Sequence, residues 1–422
     1  MSKSHVLYEP VLKETNGTGS KTKVLAGADG LRALACLGVI FHHFSQHLGM
    51  PFQRSLVQEI QSFFLLGNSG VSVFFVLSGF LLSYQFWKQY LNEGHFPDMK
   101  KYAIRRAGRI IPGFYASLLV STVLVIIFHV PVKYFLVRIL GGLTFTAGFH
   151  YITLFPNEIN GPFWSISFEV FCYFLMPAFM FGLFKILGKK RSFMKAFVYW
   201  IGVFAVIILL NQLIHVFLTP DDYMRGWEYG LVGGAKVWMP NYNPVGFFGH
   251  FILGIMAAGV SVQLFRKAHS YEKFKRNNGF DFMGMAFFVG SIALLWLMRH
   301  QPEYSLGLQN QPYFFPVYAM LIAGTLAVTS QANWFGKLLD NKFFRFTAKV
   351  SFGLYIWHYL VIFIVTKLWV KDYEKFMGIA DIKLWGLVSL CMLILSYCVA
   401  ALSYKFIEKP VLDRAHKINF KR

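Results

Sequence analysis

The chain reads as an all-α integral membrane protein, with about ten transmembrane helices in one bundle and both termini cytoplasmic. Three observations lead there. Hydrophobic residues fill 56% of the 422 positions and charged residues only 14%, with 47 Phe, a balance that a water-soluble core does not need. Apolar runs of about 20 residues recur along the chain, each long enough to cross a hydrocarbon layer. Lys and Arg gather in alternate connections, with roughly three on the inner side for each on the outer when the N-terminus is cytoplasmic. An odd number of spans would spoil that segregation. The net charge of +21 is therefore a topological signal and a contact with anionic lipid headgroups, and no nucleic-acid partner is expected.

Residues 1–25 are polar, carry Lys3, Lys13, Lys21 and Lys23, and contain no apolar stretch. A cytoplasmic tail without a cleavable signal is expected. The membrane domain covers 26–408, with spans near 30–48, 69–90, 110–130, 164–187, 196–218, 244–265, 280–298, 313–331, 350–370 and 383–404. The stretch 134–150 is apolar but broken by Gly141 and Gly142, so it reads as a half-helix, a re-entrant segment or an eleventh span. Residues 409–422 form a basic cytoplasmic tail. The inner clusters are Lys100 to Arg109, Lys189 to Arg191, Arg266 to Arg276, and Lys405 onward. Cys36, Cys172, Cys391 and Cys398 all fall within spans and behave as small apolar residues. Few carboxylates or histidines converge in the spans, so no metal site is expected.

The chemistry concentrates in a few places. Arg32 and His43 lie eleven positions apart in the first span. Eleven helical steps come to ~1100°, within about 20° of whole turns, so both side chains share a face, ~16 Å apart along the axis. Polar groups at such depth are costly, and an aligned Arg and His read as a functional site. His42, one step round the helix, is the alternative to His43. Arg105, Arg106 and Arg109 re-enter the membrane from the cytoplasmic side, and Arg106 and Arg109 share one side of a helical turn. With Arg32 they could grip a phosphorylated donor. Trp164 suits an outer headgroup boundary, and Glu169 then lies ~7 Å below it among Phe168, Phe171 and Phe174. His358 lies in another apolar span, where it could line a cavity. The chain lacks a Gly-x-Ser-x-Gly elbow, a Walker loop and a His-Glu-x-x-His pair.

In order, six blocks resemble the acyltransferase-3 family of integral membrane O-acyltransferases, which modify surface sugars and related acceptors. They are Asp29-Gly30-Leu31-Arg32 with His43, Gly70 to Phe80 around Ser78, and Arg105 to Pro112. Then come Trp164 to Glu169 with Ser167, Ser351 to His358 with Tyr355, and Ile407-Glu408-Lys409-Pro410. The resemblance implies an acyl-CoA donor on the cytoplasmic side and a carbohydrate or glycolipid hydroxyl presented on the other, in a bacterial inner membrane. Acetyl is the expected acyl group, with no bound cofactor. It also implies that Arg32 and His43 form the family's Arg-x10-His signature, and Arg106 and Arg109 its Arg-x2-Arg motif. His43 is then the expected base and Glu169 an accessory carboxylate. Arg32, Arg106, Arg109 and Arg105 are the expected donor-binding residues. Asp29, His42, Ser78, Trp164, Ser167, Tyr355 and His358 are candidates to line the cavity. The chain ends soon after its last span, so the hydrolase-like extracytoplasmic domain of many relatives is not expected. The competing reading is a transporter or flippase for an anionic lipid-linked sugar, which also uses intramembrane Arg, His and Glu.

Overall fold

The computed structural model describes residues 25–49, 55–188, 191–308, 311–371 and 376–417. The tail expected over 1–25 lies almost wholly outside these, as do Lys189, Lys190 and the end of the basic C-terminal tail. Ten helices carry the architecture. They are α1 (Ala28–Ser45), α2 (Gly70–Leu91), α3 (Met99–Ile127), α4 (Trp164–Leu187), α5 (Phe193–Phe217), α6 (Pro244–Arg266), α7 (Gly279–Met298), α8 (Val317–Thr329), α9 (Lys342–Leu368) and α10 (Gly378–Ser403). Among the described residues, eight helical segments are long and apolar enough to cross a membrane, and the chain is a multi-pass membrane protein. The two it excludes are α1, which carries Asp29, Arg32 and two histidines, and α8, which has only 13 residues.

The helix starts follow from local chemistry. Asp98 caps α3, its side chain accepting from the Lys100 and Lys101 N–H groups at 2.9 and 3.2 Å. Asn243 caps α6 through the Gly246 N–H at 2.8 Å, with Pro244 in the first turn where its missing N–H costs nothing. Asn341 does the same for α9 through Phe344.

The bundle is centred on α2 and α6, whose mutual contact is its broadest. The most apolar window of α6 is 83% buried, against 17% for α5, so α6 is a core element and α5 a rim helix. The exposed faces of the rim helices are apolar, including Leu209, Val216 and Leu387, as lipid contact requires. Backbones meet where α2 crosses α6. A Cβ on Gly79 would lie 2.0 Å from the Phe251 carbonyl oxygen, and one on Gly254 2.0 Å from that of Val76. Only hydrogen side chains allow this approach. Gly79→Val should therefore force the two central helices apart and abolish recovery of monodisperse protein in detergent, as read by size-exclusion chromatography. Wild-type recovery would mean that the crossing is looser than these distances.

Three spans differ from the hydropathy reading. Helix α3 starts at Met99 rather than near 110, because Lys100 to Arg109 are helical, with Arg105, Arg106 and Arg109 partly buried. Helix α9 starts at Lys342 rather than near 350. In place of a span over 313–331, Tyr313, Phe314 and Phe315 form a buried non-helical segment before α8. The interrupted stretch 134–150 yields a nine-residue helix, Phe135–Leu143, and a short 3-10 turn, too little to cross.

Candidate active site

The site is assembled at one end by the start of α1. Gly27 has φ 91°, a left-handed conformation that favours glycine. The Asp340 carboxylate, arriving just before α9, accepts from the Gly27 and Gly30 N–H groups at 2.8 and 3.0 Å. Burial pushes this carboxyl up to about 6, so it is still ionised at neutral pH and caps α1 as an anion. Gly30 is required because a Cβ there would lie 2.2 Å from the Leu339 carbonyl oxygen. Asp29 is buried beside these groups, in the field of Arg32, Arg345 and Arg109.

A cavity of about 420 Å³ runs inward from this end. It begins at Gln89, Asp98 and the exposed Lys101, and reaches Phe74, Ser165 and Tyr355. The distance along α2 from Gln89 to Phe74 is roughly 22 Å. Arg32 from α1 and Arg105, Arg106 and Arg109 from α3 all stand in its wall. The Arg105 Nε is buried with no hydrogen-bond partner among the described residues. Deeper in, Ser78 donates to the Glu169 carboxylate at 2.8 Å and Tyr173 donates to the same oxygen. At the deep end the Tyr355 and Ser165 hydroxyls are 2.6 Å apart, and the Phe74 ring lies 5.7 Å from that of Tyr355.

His43 and His358 lie just past that end, Tyr355 being less than one turn from His358 on α9. The His43 Nδ1 and His358 Nε2 are 2.9 Å apart, and the His358 Nδ1 is 3.0 Å from the Leu354 carbonyl oxygen. His358 is fully buried, while His43 is half-buried. His42 instead turns its Nδ1 to the Leu65 carbonyl at 2.5 Å.

Thus Ser78 and Tyr355, of the residues considered as cavity lining, belong to the wall. His42, Asp29, Trp164, Ser167 and His358 do not. Asp29 is buried in the first turn of α1, Ser167 is buried in α4, and Trp164 packs against Trp238, Tyr242 and Phe247. His43 is likewise outside the wall, and Glu169 bonds to hydroxyls rather than to an imidazole. Sequence reasoning missed Lys101, hidden among topological lysines. It also missed Tyr173, which the four-residue helical spacing from Glu169 could have shown.

A family model described as an acyltransferase domain matches residues 25–405. Among curated proteins, the chain is 23% identical over 403 residues to the O-acetyltransferase OatA of Staphylococcus aureus, covering 94% of this chain and 58% of that protein. It is 22% identical over 419 residues to the peptidoglycan O-acetyltransferase OatA of Listeria monocytogenes, covering 92% and 56%. The chain thus spans a little over half the length of these relatives. No solved structure matches it.

Proposed function

The chain belongs to the acyltransferase-3 family, and from that premise we propose that it is a membrane O-acetyltransferase. It takes an acyl group, acetyl first, from cytosolic acyl-CoA to a hydroxyl of a surface or exported carbohydrate across a bacterial inner membrane. The observation that carries this reading is a cavity with four arginines in its wall and the His43–His358 pair just past its deep end. Guanidinium groups suit the CoA phosphates, which they can hold bidentately. A cavity that runs roughly 22 Å along α2 suits an extended pantetheine arm with its thioester foremost. Glu169 places a counter-charge beside the arginines, held by Ser78 and Tyr173.

In the reaction, His43 takes the proton of the acceptor hydroxyl as its oxygen attacks the thioester carbonyl. The C–S bond breaks, and the proton leaves with the CoA thiolate. The donor must pass Phe74 and Tyr355 to meet the base, so these two rings are the last groups it encounters. The Listeria relative's name makes peptidoglycan an acceptor to test alongside O-antigen and exopolysaccharide.

The test is CoA release from labelled acetyl-CoA by membranes with and without the protein, with the label chased into extracted glycans. Protein-dependent CoA release with a labelled glycan is the expected result. Acceptor movement across the membrane without CoA release would replace this reading with a carrier.

A further inference from the structure

We infer that His358 is a positioning residue that fixes the tautomer of His43, leaving the His43 Nε2 as the bare nitrogen that takes the acceptor proton. The inference rests on the acyl-transfer reading for its kinetic consequences, but the tautomer itself stands on geometry. A carbonyl oxygen can only accept, so the His358 Nδ1, 3.0 Å from the Leu354 carbonyl, must carry a proton. In a neutral imidazole the other nitrogen is then an acceptor. The His358 Nε2 is 2.9 Å from the His43 Nδ1, so the proton between them belongs to His43. That leaves the lone pair of neutral His43 on Nε2. The reverse arrangement requires an imidazolium at His358, a bare charge at a fully buried position in an apolar helix.

The surroundings hold this chain of bonds in place. His358 belongs to the same turn of α9 as Tyr355, whose hydroxyl is tied to Ser165 and to the Pro162 carbonyl. The His43 ring is flanked by His42 and Tyr359, both rings at 5.0 Å and near perpendicular. His42 turns its Nδ1 to the Leu65 carbonyl instead. His358 therefore acts beside a second acceptor, the Val39 carbonyl one turn back on α1, in setting which nitrogen of the base is free. A base in the wrong tautomer is correctly placed and still ineffective.

The test separates an acceptor from mere bulk. His358→Gln keeps an oxygen able to accept near the Nε2 position, His358→Asn is too short to reach His43, and His358→Phe fills the space without an acceptor. In purified full-length protein, the Asn and Phe variants should lose on the order of 100-fold in kcat, with the KM for acetyl-CoA within about two-fold. The Gln variant should recover at least about ten-fold over Phe. Equal activity of the three variants, whether high or low, would overturn the proposal. Should the variants not fold, nitrogen-15 NMR of histidine-labelled wild type decides, with His43 assigned by its loss in His43→Ala. A proton on Nδ1 supports the proposal and a proton on Nε2 overturns it. If wild type consumes no acyl-CoA, the acyl-transfer reading fails, and the same spectrum still decides the tautomer.

Discussion

His43→Ala should lower acyl transfer by about 100- to 10,000-fold, the range that a general base contributes. Acyl-CoA binding should stay within about two-fold, because Arg32, the α1 member of the proposed donor-binding set, is ~16 Å away along that helix. A uniform loss in binding and turnover would instead mean that α1 had moved. The measurement is single-turnover CoA release beside equilibrium binding of a non-reactive CoA thioether. His42→Ala is the matching comparison, since its ring serves the Leu65 carbonyl. Full turnover in His43→Ala would remove the base from this position altogether.

Arg106→Ala combined with Arg109→Ala should act on the other half of the reaction. Each charge-assisted hydrogen bond to phosphate is worth about 1.5–3 kcal/mol. The pair should therefore weaken donor binding by roughly 100-fold or more, with the chemical step largely intact at saturation. Replacement by lysine should restore only part of the affinity, because an ammonium cannot reproduce the planar fork. Titration with acetyl-CoA and with dephospho-CoA would show which phosphates are involved. Unchanged affinity in the double variant would reduce both arginines to topological charges.

The bundle was legible because hydrophobic runs of membrane length are a strong signal, and α4 and α6 begin at the first residues of the spans expected over 164–187 and 244–265. The reading failed where an apolar run was spent otherwise. Tyr313 to Phe315 are as apolar as any span, yet they pack as buried loop, and Pro316 lets the helix begin only after it. It also failed at the start of α3, where a hydropathy window stops at Lys100 to Arg109 although the helix continues through them. Asp29-Gly30-Leu31-Arg32 was visible as a motif, but its physical reason was not. Gly30 serves the approach of Leu339, and Asp340 caps the helix from 310 residues away. The choice between His42 and His43 was open for the same cause, since the partner that distinguishes them is 315 positions distant. No periodicity carries such long-range pairing.

The last turn before the C-terminal segment, Tyr404–Glu408, is a π-helix that ends just ahead of Pro410. A π turn is an α turn with one residue added, so it shifts everything after it by about 100° round the axis. That shift brings Glu408, 3% exposed, against Gly353 and into the field of Arg109. What aims this carboxylate is therefore a count and not a composition. A chain shorter by Phe406 or Ile407 would keep every charge it has now, yet Glu408 would sweep round toward the lipid and away from Arg109. A single-codon deletion there should be felt at the arginine-lined cavity as strongly as a change of side chain.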